Sequence, residues 1–126
     1  MGQSDTQITV LVAEYDADVQ QIICYTLRSY ADNIIPVTDA TDALTALEDV
    51  SPSLLFVDLN LPQLGSSGLM DSINDRLDSG DLRVIVTSSY SMRDLPVDLH
   101  PACGILKKPF DVAALRSVIE EQIARA

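Results

Sequence analysis

Eight residues of this 126-residue chain could share one piece of chemistry: Glu14, Tyr15, Asp16, Asp58, Thr87, Ser88, Lys107 and Lys108. They stand at or just beyond the ends of four short apolar runs, ITVLVA at 8–13, SLLFVDL at 53–59, LRVIVTS at 82–88 and GILK at 104–107. Carboxylates, hydroxyls and an ammonium gathered at one spot suit phosphoryl chemistry. Carboxylates and a backbone carbonyl would hold a hard Mg2+ ion, Asp58 would attack phosphorus, and a hydroxyl and a lysine would hold the equatorial oxygens.

For these residues to meet, the apolar runs must lie side by side. The run at 8–13 is β-branched, too brief for a helix and free of polar alternation, as a strand covered on both faces requires. From Ala17 onward Val19, Ile22, Ile23, Thr26, Leu27 and Tyr30 recur at helical spacing, predicting a first helix that ends near Ala31, with Asp16 or Asp18 as its cap. IIPVTDA at 34–40 reads as a second strand near the sheet edge, because Pro36 cannot donate to a ladder. Ala43, Leu44, Leu47 and Val50 mark a second helix stopped by Pro52, and Leu69, Met70, Ile73 and Leu77 a third. Between residues 89 and 103, Pro96 and Pro101 leave room for at most two short helical turns. After the strand at 104–107, Val112, Leu115, Val118, Ile119 and Ile123 line the last helix. Five strands alternating with four clear helices imply a parallel sheet covered on both faces. Ligands then sit outside the C-terminal strand ends, where the strand order reverses.

Composition narrows the function. A chain of this length with 47% hydrophobic residues can bury one core, and residues 1–126 read as a single domain with 1–7 as a tail. The formal charge of −11 and the absence of a basic stripe argue against direct contact with nucleic acid or an anionic membrane. No apolar run approaches the ~20 residues that span a bilayer, and the N-terminus lacks the pattern of a signal peptide. Cys24 and Cys103 have neither metal-site nor redox-pair spacing and read as reduced thiols, which points to the cytoplasm.

FVDLNLP, VTSS and LKKPF, in this order and spacing, resemble the receiver domain of two-component response regulators over residues 8–124. The resemblance implies a flavodoxin-like, doubly wound (βα)5 α/β fold, here with a shortened or degraded fourth helix. It makes Asp58 the phospho-acceptor and Lys108, before Pro109, the lysine that pairs with the phosphoryl group. Aligned so that Thr87 completes its strand, it gives Ser88 the hydroxyl role, with Thr87 as the alternative one residue away. Glu14, Asp58 and the backbone carbonyl of Asn60 become the ligands of a Mg2+ cofactor. The implied partners are a histidine kinase or phosphotransfer protein and an output partner that the sequence does not identify.

Several residues depart from the family pattern. Its first strand usually ends in two acidic residues, the second a direct Mg2+ ligand; here Glu14 matches the first and Tyr15 stands in place of the second. A neutral phenol is a poor Mg2+ ligand, so the cofactor is expected to bind weakly unless Asp16 swings in. GSSG at 65–68 suggests a loop about two residues longer than usual. Ile105 stands where an aromatic residue that reorients is common. The same residues have plainer uses: Asp16 and Asp18 favour a helix start, Ser88 satisfies backbone at a strand end, Lys107 faces solvent and His100 is a loop residue. A phosphohydrolase would need an acid two residues after Asp58, where Asn60 stands. A mononucleotide binder would need a phosphate loop in place of EYDADVQ. Two readings remain, a phosphoryl-accepting receiver and a phosphorylation-independent pseudo-receiver that binds other proteins.

Overall fold

The computed structural model describes residues 7–95 and 98–124. The chain runs β1 (Thr9–Ala13), α1 (Ala17–Leu27), β2 (Asn33–Val37), α2 (Ala40–Val50), β3 (Leu54–Asp58), α3 (Leu69–Ser79) and β4 (Arg83–Ser88). A 3-10 turn (Met92–Asp94), β5 (Gly104–Lys107) and α4 (Val112–Ala124) follow. The five strands form one parallel sheet in the order β2-β1-β3-β4-β5. Strand order therefore reverses between β1 and β3, and the crevice opens at their C-terminal ends.

Strand alternation divides the core into two layers. Leu11, Ala13, Leu55, Val57, Val84 and Val86 pack against α2 and α3. Val10, Val12, Leu54, Phe56, Ile85 and Leu106 pack against α1 and α4, through Ile23, Leu27, Leu115 and Ile119. Carried one step further along each strand, the second set predicts that Glu14, Asp58, Thr87 and Lys108 emerge on the α1/α4 side. Ser88 follows Val84 and Val86 to the other.

Local sequence explains the element ends. Asp16 caps α1, its carboxylate accepting from the Asp18 and Val19 N–H groups, and Asp39 caps α2 by accepting from Asp42. α1 stops at Leu27 rather than near Ala31, and residues 28–30 continue as turns. β2 likewise stops at Val37, short of the expected 40, because Asp39 is claimed as a cap. Pro36 lies on the edge strand, where its missing N–H costs no ladder bond. Of the predicted turns at 89–103, the described residues contain the one 3-10 turn; Pro96 lies outside them. Elsewhere among the described residues of this segment, His100 Nε2 lies 2.7 Å from Asp78 Oδ1, its Nδ1 accepts from the Ala102 N–H at 3.1 Å, and Leu95, Leu99, Ala102 and Cys103 pack on the α2/α3 layer. This cover stops short of Ile105, which remains 37% exposed.

β5 carries Lys108 to the crevice, and its seat depends on Gly104. A Cβ there would lie 2.9 Å from Gln122 Nε2 and 3.1 Å from Val118 Cγ2, both on α4. Gln122 is 1% exposed, so its amide has little room to yield. Gly104→Ala should lower the free energy of unfolding by about 1–3 kcal/mol through overpacking, measured by urea denaturation. An unchanged midpoint would show that α4 does not hold β5 this closely.

Candidate functional site

Glu14 follows β1, Asp58 ends β3, Thr87 is the penultimate residue of β4 and Lys108 follows β5. The register pairs Asp58 with Thr87 directly. Glu14 and Asp58 are each 1% exposed and Thr87 is fully buried, while the Lys108 side chain is 15% exposed. Lys108 Nζ donates to Glu14 Oε2 at 2.8 Å and lies 3.3 Å from Asp58 Oδ1. The Thr87 hydroxyl donates to Glu14 Oε1 at 3.2 Å. Backbone groups complete the shell: the Asp16 N–H donates to Glu14 Oε2 at 3.2 Å, the Asn60 N–H to Asp58 Oδ1 at 2.9 Å and the Tyr15 N–H to Asp58 Oδ2 at 3.3 Å.

Such a pair of buried carboxylates cannot ionise independently. Burial first, and the hydrogen bond to Asp58 next, push the Glu14 carboxyl up to about 7 against the pull of Lys108. Burial acts the same way on Asp58, but hydrogen bonds from Glu14 and the Asn60 and Tyr15 N–H groups, with the charge of Lys108, outweigh it and hold that carboxyl below its ordinary range. Asp58 is thus the more acidic carboxyl of the pair, and Glu14 the one whose proton is harder to remove.

Of the residues singled out in the sequence, Glu14, Asp58, Thr87 and Lys108 come together. Ser88, given the hydroxyl role by the alignment, does not join them: its Oγ accepts from the Tyr90 N–H at 2.9 Å, as strand alternation requires of the residue after Thr87. Tyr15 contributes its N–H, and its side chain is exposed (63%). Asp16 does not swing in, because its carboxylate caps α1. Asn60 approaches Asp58 through its N–H, and its amide donates to Ser89 Oγ at 3.3 Å across the crevice. That bridge and the three backbone donors escaped the sequence reading. Thr87 was within its reach, had the parity of Val84 and Val86 been weighed above the alignment.

The donor set does not suit a dication. Each of the four carboxylate oxygens already accepts a hydrogen bond or an ammonium contact, and the third carboxylate is spent on a helix end. With the Lys108 ammonium 2.8 Å from one carboxyl and 3.3 Å from the other, the cluster's charge toward a divalent cation is already partly offset. Among the described residues no group of three or more His, Cys, Asp or Glu side chains is arranged to hold a metal ion.

No family model matches the chain. It is 29% identical over 117 residues to the DNA-binding response regulator MtrA of Mycolicibacterium paratuberculosis, covering 92% of this chain and 51% of that protein. It is 24% identical over 115 residues to protein Rrf1 of Nitratidesulfovibrio vulgaris, covering 91% of this chain and 82% of that one. The solved response regulator receiver protein of Sinorhizobium medicae superimposes with a TM-score of 0.78 at 19% identity, covering 96% of this chain and 98% of that one. The fold is that of a response-regulator receiver domain. The chain spans about half the length of MtrA. A receiver fold supports a place in two-component signalling. No helix among the described residues is long and apolar enough to cross a membrane.

The proton on Glu14 has a consequence for stability. Its folded pKa of about 7 lies above the ordinary 4.5, so between those values the unfolded chain releases a proton that the folded chain keeps. This contribution is full below about pH 4.5 and is lost as pH rises through about 7; Asp58, shifted the opposite way, acts only at lower pH. Unfolding free energy should therefore fall by about 2–3 kcal/mol more between pH 5 and 8 in the parent chain than in Glu14→Gln. Parallel denaturation profiles for the two would contradict a protonated Glu14.

Proposed function

We propose that the chain is a regulatory receiver module that accepts a phosphoryl group on Asp58 from a phosphohistidine donor, on a histidine kinase or phosphotransfer protein. The observation that carries the reading is the buried Asp58 carboxylate with Lys108 Nζ at 3.3 Å and a second hydrogen-bond donor, Thr87, in the same crevice. In the transfer an oxygen of Asp58 forms a P–O bond while the P–N bond of the donor breaks, and the electron pair leaves on the imidazole nitrogen, which takes up a proton. The chain's own residues position and neutralise. The Asn60 and Tyr15 N–H groups orient Asp58, Lys108 offsets the charge gathering on the phosphoryl oxygens, and Thr87 supplies a hydroxyl to one of them. The carboxylate that a Mg2+ ion would draw on at position 15 is replaced by Tyr15. Once on Asp58, the phosphoryl group adds charge and strong acceptors, which bias the chain toward a second conformation and a changed partner surface.

A second reading is favoured by Tyr15 in place of a carboxylate, Asp16 held as a cap and Ile105 without an aromatic ring: the receiver fold kept as a protein-binding module that does not switch by phosphorylation. Intact-mass analysis after incubation with acetyl phosphate separates the two. The first reading predicts slow accumulation of one phosphoryl adduct on the parent chain and none on Asp58→Asn. No adduct at saturating donor would leave the second reading standing, and an adduct that persists in Asp58→Asn would place the acceptor elsewhere.

A further inference from the structure

The position of Lys108 departs from what a lysine paired with the acceptor alone would show. Its ammonium is 2.8 Å from Glu14 and 3.3 Å from Asp58, so its closer contact is with the residue that the resemblance makes a metal ligand. Glu14 also receives the Thr87 hydroxyl. Both groups suited to hold an incoming anion are thus parked on one buried carboxyl, and the cationic place between the two carboxyls is filled by the chain itself. Tyr15 and Asp16 add no carboxylate that could draw a dication into that place, since one side chain is exposed and the other caps α1.

We infer that this site takes its anion without a divalent metal, with Lys108 as its resident cation and Glu14 as the residue that stores Lys108 and Thr87 until the anion arrives. The inference rests on Asp58 being the phosphoryl acceptor. An anion of phosphoryl type bound at Asp58 meets Lys108 by a short shift away from Glu14, and Thr87 Oγ1 by rotation of its hydroxyl from Glu14 Oε1. Glu14 then retains the Asp16 N–H. Because the lysine leaves one carboxyl for the anion beside the other, its charge stays within the crevice throughout. A metal bound among the same oxygens would compete with Lys108 instead of assisting the anion. Glu14 is therefore a positioning residue, acting on the ligand only through Lys108 and Thr87.

Beryllofluoride, a non-transferable phosphoryl mimic, tests this on the intact chain, with the backbone amide resonances of Tyr15 and Asn60 as reporters, since both donate to Asp58. The expected result is saturable binding in metal-free buffer, with a dissociation constant that millimolar Mg2+ changes by less than about threefold, where positive coupling between metal and anion would change it by about tenfold or more. Glu14→Ala, which removes the acceptors that hold Lys108 and Thr87, should strengthen metal-free binding, and Lys108→Met should weaken it with or without Mg2+. Binding that appears only when Mg2+ is present would overturn the inference and leave Asp58 as a metal-assisted acceptor. No binding under either condition would overturn both the inference and the phosphoryl-acceptor reading beneath it. The comparison in the parent chain needs no variant, so a substitution that failed to fold would not blur the outcome.

Discussion

Two buried carboxyls and one ammonium at the end of a parallel sheet set the terms for this molecule. Burying even one unpaired charge costs several kcal/mol, so Glu14 and Asp58 persist side by side only because Lys108 lies between them and backbone N–H groups meet their oxygens. Each group comes from a different strand end, separated by as many as 94 positions between Glu14 and Lys108. Any slip in strand register would rotate one of them out of the crevice and leave the others unpaired. The electrostatics of the site and the register of the sheet are in this sense one constraint.

The sheet also insulates the site from changes elsewhere. Strand alternation assigns Glu14, Asp58, Thr87 and Lys108 to the α1/α4 layer, whereas the irregular segment between β4 and β5 lies over the other. With no long helix among the described residues there, the Lys108 contacts to Glu14 and Asp58 are still in place. The surface changes instead: the segment is tied down by His100 and Asp78 and by a few apolar contacts, and Ile105 stays partly exposed at its margin. The chain thus keeps the receiver fold and its acidic crevice while presenting a different face beside β5.

How much of this the sequence disclosed depended on how local the signal was. The strands and the long helices were legible because a run such as SLLFVDL or the recurrence of Leu115, Val118 and Ile119 records burial directly. Asp16 was legible as a cap, since a cap is a matter of neighbouring residues. Element ends were less so; turns after Leu27 and the claim of Asp39 by α2 shortened α1 and β2 relative to the apolar pattern. In the crevice, Asp58 and Lys108 stood out through their motifs, but the choice between Thr87 and Ser88 turned on a one-residue register that the alternation of Val84 and Val86 indicates and the paired strands fix. The closer approach of Lys108 to Glu14, and the part played by the Tyr15 and Asn60 N–H groups, belong to tertiary geometry. No residue type announces a backbone donor.

The ionisation of the carboxyl pair follows from that geometry and can be observed site by site. Carbon-13 NMR of the side-chain carboxyls, followed through a pH titration of the parent chain, reports Glu14 and Asp58 separately. The account predicts that the Glu14 signal moves with a midpoint near 7, far above an ordinary carboxylate, while the main transition of Asp58 lies below the ordinary range. Two carboxyls titrating together in the ordinary range would contradict it, because neither the shared proton nor the ammonium between them could then be in place.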